Sequence, residues 1–340
     1  MLKEIVSIPK AERKINSVYF GGGTPSLLTV ASLEIIFACL QNEFVFSDSV
    51  EVTFEMNPDD LSEAYLKSIF DLGLINRLSI GIQSLTDINL QFLSRFHTAE
   101  QISTGLDNVF SIGFKHVSVD YIYGYPLLNN RIIGKELKIL SDFPVEHFSC
   151  YHLSYEPGTL FYKYLQSGKL TEISDTDSLN QYEFIVNGLS NLGFKQYEIS
   201  NFCKSGFESK HNSNYWNNSN YYGFGPSAHS YDGQVRRIND SNVFSYISKL
   251  NNSETDYCKL EQLSETDKYN EFIMTSLRTI SGINKQLFEQ KFPNEYIIYF
   301  KQNALNYIKN RQIIENELYY YISAKSLFVS DSIITDLFFV

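Results

Sequence analysis

Ser17-Val18-Tyr19-Phe20-Gly21-Gly22-Gly23-Thr24-Pro25 is an apolar run that stops on three glycines and a proline-locked turn. Consecutive glycines turn sharply and leave bare N–H and C=O groups able to face a ligand, although the same residues also serve an ordinary tight turn. The segments that follow repeat this grammar of short strand, turn and amphipathic stretch. Strands are expected at Ser17 to Phe20, Val50 to Glu55, Arg77 to Gly81, His116 to Tyr121 and His147 to Tyr155. Helical spacing lies between them at Leu27 to Gln41, Ser62 to Leu72, Asp87 to Leu93, Ala99 to Ser111 and Arg131 to Leu140. Ser62 is expected to cap its helix and Gly73 to stop it. Strand starts about 30 residues apart fit crossover units, so the fold class read here is α/β, a whole or partial parallel βα barrel.

Beyond about Ser174 the pattern changes. A helix over Leu179 to Leu192 leads into an expected irregular segment, Asn212 to Asn220, with five asparagines among aromatic residues. From Tyr257 onward, amphipathic helices and a Tyr-rich strand at Leu318 to Ile322 indicate a small α+β domain whose last residues pack. The division read from these shifts is a barrel over 1–172, an extension over 173–250 and a C-terminal domain over 251–340.

The 340 residues are 43% hydrophobic, enough for a substantial core, and carry a net charge of −11. That acidity argues against a sequence-independent grip on nucleic acid, which needs clustered Lys and Arg. No apolar stretch is long enough to cross a bilayer and no signal-peptide pattern opens the chain, so a cytoplasmic location is expected. Cys39, Cys150, Cys203 and Cys258 lie far apart with no zinc spacing and read as reduced thiols.

In parallel βα folds, ligands bind at the carboxyl ends of the strands. Four polar residues fall there: Glu55, Gln83, Arg95 and Asp120. Singly, Glu55 and Asp120 are explained as helix caps, and Arg95 as a neutralising charge. Together with the triple glycine they make a polar ring, with acceptors for hydroxyl or ammonium groups and a cation for a carboxylate. Such a ring suits a nucleoside joined to an amino acid.

The motifs GGGTPSLL, E-x-T-F-E-x-N-P, NRLSIGIQS, R-x-H, D-Y-I-Y-G-Y-P, Y-E-I-S-N-F, HNSNYW and GFGPSAHSY follow one another in this chain. They resemble the radical S-adenosylmethionine (SAM) family of oxygen-independent coproporphyrinogen III oxidase-like proteins, most of all its heme chaperone branch. The resemblance runs from near Ser17 to the C-terminus and implies a partial (β/α)₆ barrel. Carried over by motif, Gly22, Gly23 and Thr24 would meet the methionyl end of S-adenosylmethionine. Glu55, Gln83, Arg95 and Asp120 would surround its ribose, carboxylate and adjoining polar atoms. The resembled branch associates the motif at His211, Tyr215 and Trp216 with heme. His211 is the first choice of iron ligand and His229 the second; a structural histidine bonded to backbone groups is the alternative.

The family's first strand ends in a Cys-x₃-Cys-x₂-Cys loop that binds a [4Fe-4S] cluster, and this sequence has no such run. The expectation is a barrel missing its first strand, with a shortened or misassigned start, no radical chemistry, and Val18 to Phe20 left as a sheet edge. Tyrosines within Asp120 to Pro126 and Ser326 near the C-terminus depart from the family's usual leucines and glycine. The resemblance implies a heme chaperone that delivers its cargo to a client hemoprotein, including one at a membrane. The alternatives are a coproporphyrinogen III oxidase of porphyrin biosynthesis and a cluster-free remnant without activity.

Overall fold

The computed structural model describes residues 1–8 and 14–340. They gather into two compact units: Met1–Asn16, Ala31–Val50 and Ser209–Val340 form one, and Ser17–Val30 with Glu51–Glu208 form the other.

Most of a seven-stranded sheet lies in the second unit. Its strands are β1 (Lys14–Phe20), β2 (Val45–Met56), β3 (Arg77–Gln83), β4 (His116–Tyr123), β5 (His147–His152), β6 (Lys195–Gln196) and β7 (Asn201–Cys203). They lie in the order β1-β2-β3-β4-β5-β7-β6. Strands β2 to β5 pair in parallel, as the partial-barrel reading requires, and β7 and β6 finish the sheet antiparallel. All five expected strands exist. The first two begin several residues earlier than their apolar runs, and the fifth ends at His152, three residues before its expected limit.

Register explains the chemistry of this sheet. Glu55 pairs with Ser79, Ser79 with Ser118, Ser118 with His147, and Asp120 with Ser149, so these polar residues share one face. Phe54, Leu78, Ile80, Val119 and Phe148 point the other way and are fully buried. A parallel sheet covered by apolar packing on both faces reads as continuous Val, Ile and Leu, whereas this one alternates. One face is core and the other is a polar lining.

The crossover helices are α3 (Glu63–Asp71), α4 (Asp87–Phe92), α5 (Ala99–Ile112) and α6 (Asn130–Ser141), followed by α7 (Leu160–Gln166) and α8 (Asp175–Asn191). The other unit carries α1 (Leu2–Ser7) and α2 (Val30–Glu43), the latter starting one residue ahead of it. Helix α5 is the best defined: Thr98 and Gln101 form a reciprocal capping box, and Gly113 closes it left-handed at φ +117°. At α3 the expectation holds in part. Gly73 ends the helix at φ +65°, but Ser62 sits at the N-cap position without a side-chain capping bond.

The first unit adds α9 (Lys210–Trp216), α10 (Val243–Asn251), α11 (Glu265–Arg278), α12 (Lys285–Lys291), α13 (Asn294–Lys309) and α14 (Ser330–Thr335). Two three-stranded antiparallel sheets accompany them: β8 (His229–Tyr231), β9 (Val235–Asn239) and β10 (Cys258–Gln262), then β11 (Ile283–Asn284), β12 (Ile313–Glu315) and β13 (Tyr319–Ile322). Of the segment expected to be irregular, residues 212–216 instead lie in α9, because the Ser209 hydroxyl accepts the Asn212 N–H and starts a helix, whereas 217–220 are turn and irregular as expected. Tyr269, Phe272, Phe288 and Phe300 centre an aromatic core. The C-terminus packs as expected: Leu337 is fully buried, and Asn270 bonds the Phe339 backbone through both side-chain atoms.

Candidate functional site

The glycine run opens a cleft of about 210 Å³ in the second unit, at the carboxyl ends of the parallel strands. Gly23, Thr24, Glu55, Gln83, Arg95 and Asp120 all line it, with Ser79 and Asn57 between them. Residues far apart in sequence thus converge, as the sequence reading expected. Gly22 is not among the lining residues; it supplies the turn, at φ +81°. Gly21 is required by proximity, since a Cβ there would fall 2.5 Å from the Tyr19 ring and 2.9 Å from the Glu55 carboxyl carbon.

The helix-cap explanation for the two carboxylates does not hold. Glu55 accepts a hydrogen bond from the Tyr19 hydroxyl at 2.5 Å. Asp120 lies within β4 and accepts one from the Ser79 hydroxyl at 3.4 Å. Burial raises the Asp120 pKa to about 7; Ser149 and Ser79 donate to it and oppose the rise, and Glu55 adds to it. Burial also lowers the Arg95 pKa, while Asp120 and Asp59 work to hold the charge. One carboxyl poised near neutrality beside a desolvated guanidinium is an arrangement typical of ligand sites.

Gln83 is the most unusual member. Its φ is +62°, and the Ser84 N–H donates across it to the Ile82 carbonyl at 2.8 Å, a three-residue turn of the strained left-handed kind. The β3–β4 register breaks here, between Ile80 and Gln83. Conformations of this kind cost about 1–3 kcal/mol and persist where the surroundings impose them. The Gln83 side-chain oxygen is buried with no hydrogen-bond partner in the protein. An orphaned buried acceptor lining a cleft needs a donor from a ligand or from water.

The HNSNYW motif lies in the other unit, on α9. The His211 ring meets Tyr215 edge-on at 4.9 Å, and Tyr215 meets Tyr221 at 4.9 Å. Burial lowers the His211 pKa to about 4, so its imidazole is neutral at pH 7. The Arg278 guanidinium lies 5.4 Å from the Trp216 ring centre, and the nearby Asn218 amide donates to Thr275 at 2.9 Å. His229 is exposed on β8.

The remaining histidines belong to the sheet unit. His97 is buried against the Ile82 carbonyl and Asp59, His116 pairs with Glu146 at 2.9 Å, and His152 meets the Ser178 hydroxyl at 2.5 Å. His147 is buried between the Ser118 hydroxyl at 2.7 Å and the Tyr197 hydroxyl at 2.8 Å. Burial, helped by the Arg77 charge, holds its pKa well below the ordinary value. The unfolded chain therefore binds the proton first. His147 contributes stability above about pH 6.5 that is lost as the pH falls further, by at most about 1.4 kcal/mol per unit. Asp120, raised to about 7, acts with the opposite sign: its contribution is present at low pH and lost as the pH rises through 7. The informative measurement is thus a difference. Urea unfolding at pH 7.5 and 5.5 is expected to show a loss in the wild type that is smaller by about 1 kcal/mol in His147→Gln.

Residues 1–137 match the Radical SAM superfamily, and residues 263–322 match the HemN C-terminal domain. The chain is 33% identical to the heme chaperone HemW of Bacillus subtilis (strain 168) over 279 residues, which is 82% of this chain and 73% of that protein. The chain belongs to the HemW family of radical SAM proteins. The heme chaperone HemW of Lactococcus lactis subsp. lactis (strain IL1403) is 30% identical over 89% of this chain and 79% of its own length. The solved coproporphyrinogen III oxidase (HemN) of Escherichia coli, a radical SAM enzyme, superposes with a TM-score of 0.82 over 99% of this chain and 81% of its own. At 19% identity that likeness concerns the fold alone.

The cofactors implied by the HemW family meet different fates in this chain. The cleft fits the polar end of S-adenosylmethionine, offering an orphaned acceptor, a cation and two carboxyls. An iron–sulfur cluster does not fit the residues given. The sequence contains no Cys-x₃-Cys-x₂-Cys run, and among the described residues no three His, Cys, Asp or Glu side chains are grouped to hold a metal ion. A porphyrin iron needs a neutral imidazole, which His211 provides. Among the described residues no helix is long and apolar enough to cross a membrane.

Proposed function

We propose that this chain is a cytoplasmic heme chaperone that holds S-adenosylmethionine in the cleft of its βα unit and heme at the α9 segment, and passes the heme to a client hemoprotein. Its relatives named heme chaperone HemW support the reading, and the observation that carries it is the His211-to-Trp216 motif ordered as one capped helix. In this proposal Arg95 pairs with the ligand carboxylate, Glu55 and Asp120 accept from its hydroxyl and ammonium groups, and Gln83 accepts at the cleft wall. Gly23 and Thr24 serve the methionyl end, presented by the turn at Gly22. When bound, S-adenosylmethionine would supply a sulfonium whose reductive cleavage needs an electron from a cluster. Tyr215 and Trp216 offer apolar rings to the porphyrin beside His211. The proposed division of labour assigns the cleft to 1–172, the heme segment to 173–250 and a supporting α+β domain to 251–340.

His211→Ala is expected to weaken heme binding about tenfold and to shift the Soret band, both read by titrating the purified chain with hemin. His229→Ala serves as the comparison and is expected to leave both unchanged. An unaltered affinity and spectrum in His211→Ala would remove that residue from the reading.

A further inference from the structure

The turn at Gln83 is strained and must be imposed by something outside it, and the structure assigns that role to Glu136. We infer that Glu136, on α6, is a positioning residue that locks the turn after β3 and thereby aims Gln83 into the cleft. The inference deepens the S-adenosylmethionine reading and, for its binding arm, rests on it.

Glu136 is fully buried. One of its carboxylate oxygens accepts from the Ser84 hydroxyl at 2.6 Å, the Leu85 N–H at 2.8 Å and the Thr86 hydroxyl at 2.8 Å. The other accepts from the Tyr121 hydroxyl at 2.5 Å. A single side chain thus grips the three residues directly after Gln83 and the one directly after Asp120. A buried carboxylate is costly unless its oxygens are bonded, so a site that only needed packing would be served by an apolar residue.

Two local features indicate that the grip is directed at the turn. Thr86 occupies the N-cap position of α4 but its side chain accepts no capping bond; its hydroxyl donates to Glu136. Helix α4 then carries the chain to Ser94, itself at φ +55°, where the Arg95 N–H bonds back to the Leu90 carbonyl at 2.8 Å. The clamped segment is therefore bounded by two cleft residues, Gln83 before it and Arg95 after it. Without the carboxylate, the three-residue turn would relax toward ordinary negative φ and swing the Gln83 amide away.

The test is a double-mutant cycle on the full chain with a local structural readout beside it. S-adenosylmethionine binding is measured by calorimetry for the wild type, Glu136→Ala, Gln83→Ala and the double variant. Glu136→Ala is expected to weaken binding five- to twentyfold alone but less than twofold when Gln83 is already absent. Glu136→Gln, which keeps one acceptor, is expected to recover most of the loss. An equal loss in both backgrounds would overturn the inference, since a merely structural residue acts whether or not Gln83 is present. Hydrogen exchange of the segment 83–86 is the arm that needs no ligand. Its amides are expected to exchange at least about threefold faster in Glu136→Ala, with other strands unchanged. Unchanged exchange there overturns the clamp. Should the wild type bind no S-adenosylmethionine, the functional reading fails while the exchange arm still decides the clamp. Ser84→Ala, which removes a single donor, is expected to move the same amides in the same direction if Glu136→Ala does not fold.

Discussion

Glu4→Ala is expected to destabilise the unit built on the C-terminal half by about 3 kcal/mol, and Glu4→Gln by a comparable amount. Glu4 is fully buried on α1, and its carboxylate is the meeting point of four donors. Asn239 donates to one oxygen at 2.7 Å and Arg237 to the same oxygen at 2.9 Å. The Gly225 N–H donates to the other at 3.0 Å, together with the Tyr246 hydroxyl. Alanine would leave the Arg237 guanidinium without its buried counter-charge. Its contacts to the Gly223 carbonyl at 3.3 Å and the Ser230 hydroxyl at 3.4 Å soften the loss, which is why the lower end of the range for a broken buried pair applies. Glutamine keeps the shape but turns a donor toward donors. Urea unfolding followed by tryptophan fluorescence reads the effect, since Trp216 lies in the same unit. A change below about 1 kcal/mol in both variants would mean that Arg237 and Asn239 find other partners.

This carboxylate was invisible to sequence reading, and the reason is physical. Glu4 and Asn239 are 235 positions apart, and nothing local in Leu2–Ser7 distinguishes an exposed acidic helix from a buried one. Glu136 was hidden for the same reason: a glutamate amid Gly134-Lys135-Glu136-Leu137-Lys138 reads as a solvated face until its distance to Ser84 is known. Local chemistry was legible. The Phe20-to-Pro25 boundary, the strands at Arg77 and His116, and the clustering of Glu55, Gln83, Arg95 and Asp120 all follow from turn residues and strand ends.

The polar lining lay in between. Val117-Ser118-Val119-Asp120-Tyr121 and His147-Phe148-Ser149-Cys150 alternate strictly, and in parallel strands that alternation marks a face not filled by apolar packing. That signal was available without coordinates. The register that sets Ser118 beside His147 was not, because it depends on pairing between strands. A single cap can override composition: the asparagines around Tyr215 and Trp216 suggest a loop, yet Ser209 begins a helix that runs to Trp216.

Arg95→Ala is expected to weaken S-adenosylmethionine binding about 10- to 100-fold, the worth of one or two charge-assisted hydrogen bonds at roughly 1.5–3 kcal/mol. Arg95 is the cation among the cleft residues and interacts with the charge of Asp120. Its removal acts twice. The ligand carboxylate loses its partner, and Asp120 loses the positive charge that restrains its rise toward neutrality. In the wild type, binding should weaken below pH 7 as Asp120 takes up a proton and stops accepting. In Arg95→Ala that limb is expected to move to higher pH, so the deficit at pH 7 shrinks at pH 8.5. Arg95→Lys keeps the charge without the planar fork and should lie between the two, with its limb near that of the wild type. A simple loss of folding would lower the affinity without moving the limb, and calorimetric titrations of the three proteins at pH 6, 7 and 8.5 separate these outcomes. An affinity within twofold of wild type at all three values would take Arg95 out of the site.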